Sequence, residues 1–231
     1  MLEQCRVIIC AIGEVGRCMA GEITDSNLFA GISSIAVFSG KPLISKVPEG
    51  VAHHLLDSKI PSFLGRAKVD SRIIDYNKDS RELIATEISN NDLLLVVGPC
   101  GGNSSTVIFA AIARLADEMN IATVSVVIQP FKCEGSRRQR AFTEGLEAIK
   151  KLSALTCVCS LDKIAADKLG KLVLLEAFAY ADRKIAHCVT ALFHALSQSK
   201  DLLNDREKLA EACQTALSAD PVAKSVALEI Y

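Results

Sequence analysis

Two short turns in this chain carry the residue types that hold phosphate. The first, Ala11-Ile12-Gly13-Glu14-Val15-Gly16, follows a β-branched run at 6–12 and leads into a helical pattern. It matches the dinucleotide fingerprint G-x-G-x-x-G except for Ala11 at the first glycine. The acidic residue that would take a ribose hydroxyl after the next strand is replaced by Phe38-Ser39-Gly40-Lys41, where Ser39 and Lys41 suit a 2′-phosphate. A glycine turn that serves only tight strand–helix packing explains the same residues. The second turn is Gly98-Pro99-Cys100-Gly101-Gly102-Asn103-Ser104-Ser105-Thr106. Glycines let backbone approach a phosphate, and a helix N-terminus adds free N–H groups and a positive dipole end. An ordinary capped helix accounts for Asn103 and Ser104 equally well.

Other residues carry less chemistry. His187 and His194 share one face of a long helical stretch, but no carboxylate or thiol completes a metal set, so hydrogen-bonded or packed histidines are expected. His53 and His54 fall in an expected loop and are read as exposed. Lys132, Arg137, Arg138 and Arg140 form a basic cluster of the kind that solvates a helix start. The nine cysteines are odd in number and scattered, and Cys157-Val158-Cys159 is no zinc motif, which points to buried, reduced thiols of a cytoplasmic protein. No catalytic set and no metal site is assigned.

The elements that must position these residues follow from patterning. A length of 231 residues suits one good-sized domain, or one with an appendage. Hydrophobic residues make up 50% and aromatics only 5%, so the core is expected to be aliphatic. A net charge of −1 offers no field for nucleic acid or anionic lipid. Apolar runs such as 93–97 are too short to span a bilayer, and the first residues lead into a strand rather than a signal peptide. Strands are expected at 6–12, 34–38, 71–75, 92–98, 121–128 and 154–159, and helices at 78–90, 104–120 and 136–152; residues 39–68 read as connections with little regular structure. The alternation implies a parallel sheet covered on both faces. Residues 172–197 are helical and apolar almost all round, with Asp182, Arg183 and Lys184 in the middle arguing against a membrane span. Residues 199–231 show a modest amphipathic pattern through Leu202, Leu209, Cys213 and Leu217, then Asp220-Pro221 as cap and first turn of a last short helix.

From residue 92 onward the chain resembles the nucleotide-binding domain of the FtsZ/tubulin family. That family shows a strand, G-G-G-T-G-T-G opening a helix, a strand, P-F-x-x-E-G-x-x-R leading the next helix, a strand ending in P-N-D-x-L, and a long core helix with an aromatic-to-acidic pair. Gly101-Gly102-Asn103-Ser104-Ser105-Thr106-Val107 stands at the glycine signature. Pro130-Phe131-Lys132-Cys133-Glu134-Gly135-Ser136-Arg137-Arg138 and Leu175-Glu176-Ala177-Phe178-Ala179-Tyr180-Ala181-Asp182 match well, and Ser160-Leu161-Asp162-Lys163-Ile164 poorly. The resemblance is strong over 92–196 and loose over 6–38.

It implies an α/β fold: a three-layer, Rossmann-like parallel sheet flanked by helices, with a long core helix and a short helical C-terminal tail. Residues 1–198 would be the nucleotide-binding domain, and 199–231 a helical extension where the family has a second domain. Gly13, Gly101, Gly102, Asn103, Ser104, Ser105 and Thr106 would face phosphate, Glu134 the ribose and Arg138 the sugar–phosphate side. Phe178 would stack on guanine and Asp182 would accept from its N1–H and exocyclic amine. The cofactor implied is GTP or GDP. Departures accompany the matches: Glu14 brings a negative charge to the first phosphate turn, 63–67 lacks the family's G-A-G, and Leu161 replaces a base-reading Asn. Asn103, Ser105 and Val107 replace glycines. The N-x-D-x-x-D loop that completes a neighbour's hydrolytic site has no counterpart in 197–231, so turnover is expected to be lost. The expected protein is a divergent, cytoplasmic FtsZ-like regulator or scaffold in cell division or the cytoskeleton. Its partners would be itself, as a dimer, or a filament-forming FtsZ homologue. A nucleotide-free interaction module and an NAD(P)-binding oxidoreductase are the alternatives.

Overall fold

The computed structural model describes residues 4–25, 32, 34–56, 78–166, 173–226 and 228–231; the strand expected at 71–75 and the segment 63–67 lie outside these. Seven strands form one sheet: β1 (Val7–Ile12), β2 (Ile35–Ser39), β3 (Ala52–Leu55), β4 (Leu93–Pro99), β5 (Ala122–Gln129), β6 (Leu155–Ser160) and β7 (Glu229–Ile230). Their order is β3-β2-β1-β4-β5-β6-β7, with every pairing parallel except β6–β7. β1 and β2 are buried along their whole length, and β4 except at Pro99, which is why their sequences read as continuous apolar runs rather than alternating ones.

The helices are α1 (Gly13–Asp25), α2 (Lys78–Ile88), α3 (Asn103–Glu118), α4 (Ser136–Leu152), α5 (Leu161–Ile164), α6 (Leu174–Leu196), α7 (Arg206–Ala219) and α8 (Pro221–Lys224). Alternate residues of β1 feed two cores. Val7, Ile9 and Ala11 join α1, α6 and α7, while Ile8, Cys10 and Ile12 join α2, α3 and α4. No helix among the described residues is long and apolar enough to cross a membrane.

Two strands depart from the sequence reading. β3 lies within residues expected to hold little regular structure. Its Ala-His-His-Leu has no β-branched residue; pairing with β2, from Ala36↔Ala52 to Ser39↔Leu55, makes it a strand. His53 and His54 are therefore not loop residues. His53 Nε2 lies 3.0 Å from Ser39 Oγ, and His54 stacks on Phe38 while its Nε2 lies 2.8 Å from Glu87 Oε2. At the other edge, β7 ends the tail that was expected to be wholly helical. Tyr231 and Thr156 exchange backbone hydrogen bonds of 2.8 and 3.1 Å, and Lys150 Nζ sits 3.5 Å from the Tyr231 ring centroid.

The rest of the tail packs on α6. Leu209, Cys213, Leu217, Ala223 and Val226 share a core with Ile185, Val189 and Leu192. Asp220 caps α8 as expected, accepting from Val222 N at 2.7 Å and Ala223 N at 2.9 Å, and it also meets His187 Nδ1 at 3.3 Å. Arg6 and Asp92, 86 residues apart, clamp the starts of β1 and β4 through three hydrogen bonds of 2.9–3.1 Å. Those bonds, with Lys200 Nζ at 3.3 Å, hold the Asp92 carboxyl well below the usual carboxylate range. All nine cysteines are free; Cys133 is exposed, against the expectation that they are buried.

Candidate functional site

The strands of a parallel sheet end together, and ligands of such folds bind beyond their carboxyl ends. Here a cavity of about 780 Å³ opens at that place. It is lined by Gly13 and Glu14 at the start of α1, Ser39 at the end of β2 and Lys41 beyond it, Gly101 and Gly102 between β4 and α3, and Ser104 and Ser105 in the first turn of α3. Glu134 and Arg138 after β5, Leu161 after β6, and Phe178 and Asp182 on α6 complete it. The fold thus brings together nine of the residues singled out for a nucleotide: Gly13, Gly101, Gly102, Ser104, Ser105, Glu134, Arg138, Phe178 and Asp182.

Two others stand differently. Thr106 is buried behind the turn, where its Oγ1 accepts the Gly101 N–H at 3.1 Å and meets Cys100 Sγ at 3.7 Å. Asn103 is the first residue of α3. The cap of that helix is Gly102, with no side-chain hydrogen bond, so an ordinary Asn or Ser cap is not the reason for this sequence.

Gly101 explains why the turn needs glycine. Its φ is +127°, and a Cβ there would lie 3.0 Å from the Arg138 carbonyl and 3.2 Å from Pro130 Cγ. In the first turn the two glycines divide the work. Gly16 packs so closely that a Cβ would sit 2.7 Å from the Ala11 carbonyl carbon, whereas Gly13 lines the cavity with φ +67°.

Glu134 Oε1 accepts the Phe131 N–H at 2.8 Å, and its second oxygen pairs with Arg138. The Gln139 amide donates to the Pro130 and Phe131 carbonyls at 3.0 and 2.9 Å, which fixes the loop that carries Glu134. Phe131 is buried edge-on to Phe178, with centroids 5.3 Å apart at 72°. On α6, burial lifts Asp182 from 3.8 to about 7, with Glu22 adding to the rise and Arg17 opposing it. Leu161, 6% exposed, adds an apolar side chain to the cavity wall.

Glu14 does more than bring negative charge. It pairs with Arg17, and its Oε2 accepts the Ile44 N–H at 3.0 Å. That contact, 30 residues apart, had no signal in the sequence, and neither had Cys18, which lines the cavity beside Arg17. Among the described residues, no cluster of three His, Cys, Asp or Glu is arranged to hold a metal.

No family model matches the chain. Among solved structures it is similar to an FtsZ dimer from M. jannaschii, at 23% identity and TM-score 0.67, over 84% of this chain and 56% of that one. It is similar to CetZ from Methanosaeta thermophila at 13% identity and TM-score 0.63, over 96% and 60%. The GDP-bound CetZ1 monomer from Haloferax volcanii matches at 14% identity and TM-score 0.67, over 87% and 64%. The chain therefore spans 56–64% of the length of these three. Its seven-stranded, mostly parallel sheet, flanked by helices and crossed by the long α6, has the fold of the FtsZ/tubulin nucleotide-binding domain.

Proposed function

We propose that the cavity binds GTP or GDP, weakly or without turnover, and that the protein is a regulator or scaffold in a cytoskeletal or cell-division process. The observation that carries this reading is the meeting of Glu134, Arg138, Phe178 and Asp182 at the same cavity as the glycine turn after β4. The residues fit the ligand. A half-buried carboxylate matches the donor edge of guanine, an aromatic ring offers a face, and Gly101, at a positive φ, lets the turn pass close to Arg138 and Pro130 on the cavity wall. Asp182 would accept from the base, Phe178 would pack on it, Glu134 would accept from the ribose, and Arg138 would serve the sugar–phosphate side. Gly101, Gly102, Ser104 and Ser105 would turn backbone toward phosphate at the start of α3. The nucleotide supplies the anionic phosphates and the base edge that these groups recognise.

Side chains at Ser105 and Val107, where glycine would bring the backbone closer, support weak binding. Titration calorimetry with GDP tests the reading, and an absence of heat with the unaltered chain overturns it. Absorbance of the supernatant after denaturing purified protein shows whether nucleotide copurifies.

A nucleotide-free interaction module has one observation in its favour. Ile44 on the cavity wall and Val173 and Leu175 at the start of α6 are 88%, 65% and 81% exposed, and exposed large apolar residues suit contact with another protein. Self-association is the simplest use of such a surface, and sedimentation velocity that shows only monomer across concentration would count against it. The oxidoreductase alternative is weaker, because it rests on residues 11–16 alone, while Glu134, Arg138, Phe178 and Asp182 on the same cavity belong to the other reading.

A further inference from the structure

We infer that Lys41 is a second phosphate-binding cation of this cavity, beside Arg138, and that Glu14 is the positioning residue that holds the Lys41 segment in place. The inference rests on the nucleotide reading above and names the residue that replaces backbone contacts at the worn turns.

Residues 41–44 leave the end of β2 and line the cavity without interruption. The segment is fixed at both ends and between them. Ser39 is buried and meets His53 Nε2 at 3.0 Å, Leu43 packs against the core, and the Ile44 N–H donates to Glu14 Oε2 at 3.0 Å. Pro42 adds stiffness next to Lys41 through its fixed φ. Lys41 is thus an exposed ammonium on an anchored backbone.

The charges along the wall decide which cation is available. Among the described residues, five charged ones line the cavity: Glu14, Lys41, Glu134, Arg138 and Asp182. Glu14 is neutralised by Arg17, and Arg138 is engaged by Glu134. Lys41 has no anionic partner among the described residues. Glu14, which at first sight repels phosphate, is turned away from that role by its two bonds. A compact ammonium on a flexible stem is a point charge well suited to phosphate oxygens. It takes over where the β1–α1 turn has only Gly13 to offer, since Gly16 is packed against Ala11.

The test is calorimetric titration of the full chain with GDP and with guanosine, on the unaltered protein and on Lys41→Met, Lys41→Arg, Glu14→Ala and Glu14→Gln. Thermal midpoints confirm that each variant folds. Lys41→Met is expected to weaken GDP about tenfold or more while leaving guanosine unchanged, and Lys41→Arg to keep most of the affinity. Glu14→Ala should reproduce the GDP-selective loss, and Glu14→Gln, whose amide oxygen still accepts the Ile44 N–H, should restore it. GDP affinity within about twofold of the unaltered chain in Lys41→Met overturns the Lys41 assignment and leaves the nucleotide reading standing. Parallel loss of GDP and guanosine also overturns it, because that marks a structural role. Failure of Glu14→Gln to restore binding overturns the positioning role. If the unaltered chain binds no GDP, the nucleotide reading falls and the inference falls with it.

Discussion

Arg138 and Glu134 form an ion pair one helical turn apart, and Glu134 also accepts the Phe131 N–H at 2.8 Å. The two side chains therefore have unequal structural roles. The Arg138 side chain is 57% exposed, so the pair itself contributes only about 0–1 kcal/mol. Arg138→Ala should leave the urea midpoint nearly unchanged while weakening GDP about tenfold. Glu134→Ala strands the Phe131 N–H and should cost about 1–2 kcal/mol in addition to its effect on binding. Equal stability losses for the two variants would contradict this division.

Asp182 should make nucleotide binding depend on pH. Its neighbours across the α1–α6 contact are Glu22, which adds to the rise caused by burial, Arg17, which opposes it, and Cys18, whose thiol is itself raised. A guanine edge that donates two hydrogen bonds needs the carboxylate, so with the group at about 7 GDP affinity should fall about tenfold from pH 8 to pH 6. A flat profile would rule out Asp182 as the base acceptor. Stability runs the other way. The folded value lies above the unfolded 3.8, so the stabilisation from the protonated form is fully present below 3.8 and is lost as pH rises through about 7. Asp182→Asn should therefore raise the melting temperature at pH 8 and change it little at pH 3.5.

Gly101 and Gly13 allow a matched comparison. Gly101→Ala meets both a positive φ and the Arg138 carbonyl at 3.0 Å, whereas a Cβ at Gly13 has nothing within 4 Å. Gly101→Ala should cost about 1–3 kcal/mol and abolish measurable GDP binding. Gly13→Ala carries only the backbone cost, about 1 kcal/mol. Denaturant titration that ranks the two in the opposite order would refute the account of the β4–α3 turn.

Residues 199–231 are expected to unfold with the sheet rather than before it. Leu209 is 1% exposed in the core that contains α6, so Leu209→Ala should cost about 2–5 kcal/mol and keep a single transition. A separate low-temperature transition, with the main one unmoved, would mark the tail as an independent appendage.

Much of this was legible in the residues, for identifiable reasons. Val7–Ile12 and Leu93–Pro99 are apolar on both sides because both faces of a parallel sheet are covered, and that pattern is visible without coordinates. Ala52–Leu55 and Glu229–Ile230 were not, since each is an edge strand created by pairing with its neighbour rather than by its own composition. Glu134, Arg138, Phe178 and Asp182 were recognisable because each sits in a local string of fixed spacing. The Glu14–Ile44 bond was hidden: it joins a helix start to a loop 30 residues away, and Ile44 belongs to no motif. Lys41 appeared first as a candidate for a different phosphate, and its position on the cavity wall is what ties it to this one.

The Arg6–Asp92 clamp has a kinetic meaning. β1 lies inside the sheet, between β2 and β4, yet it pairs with β4 at a sequence separation of 86, while β4, β5 and β6 are joined by short helical crossovers. Closing so long a loop must precede the contacts that reward it. During synthesis the apolar faces of β1 and α1 are therefore expected to stay partly uncovered until β4 emerges, the interval in which a chaperone would have most to protect.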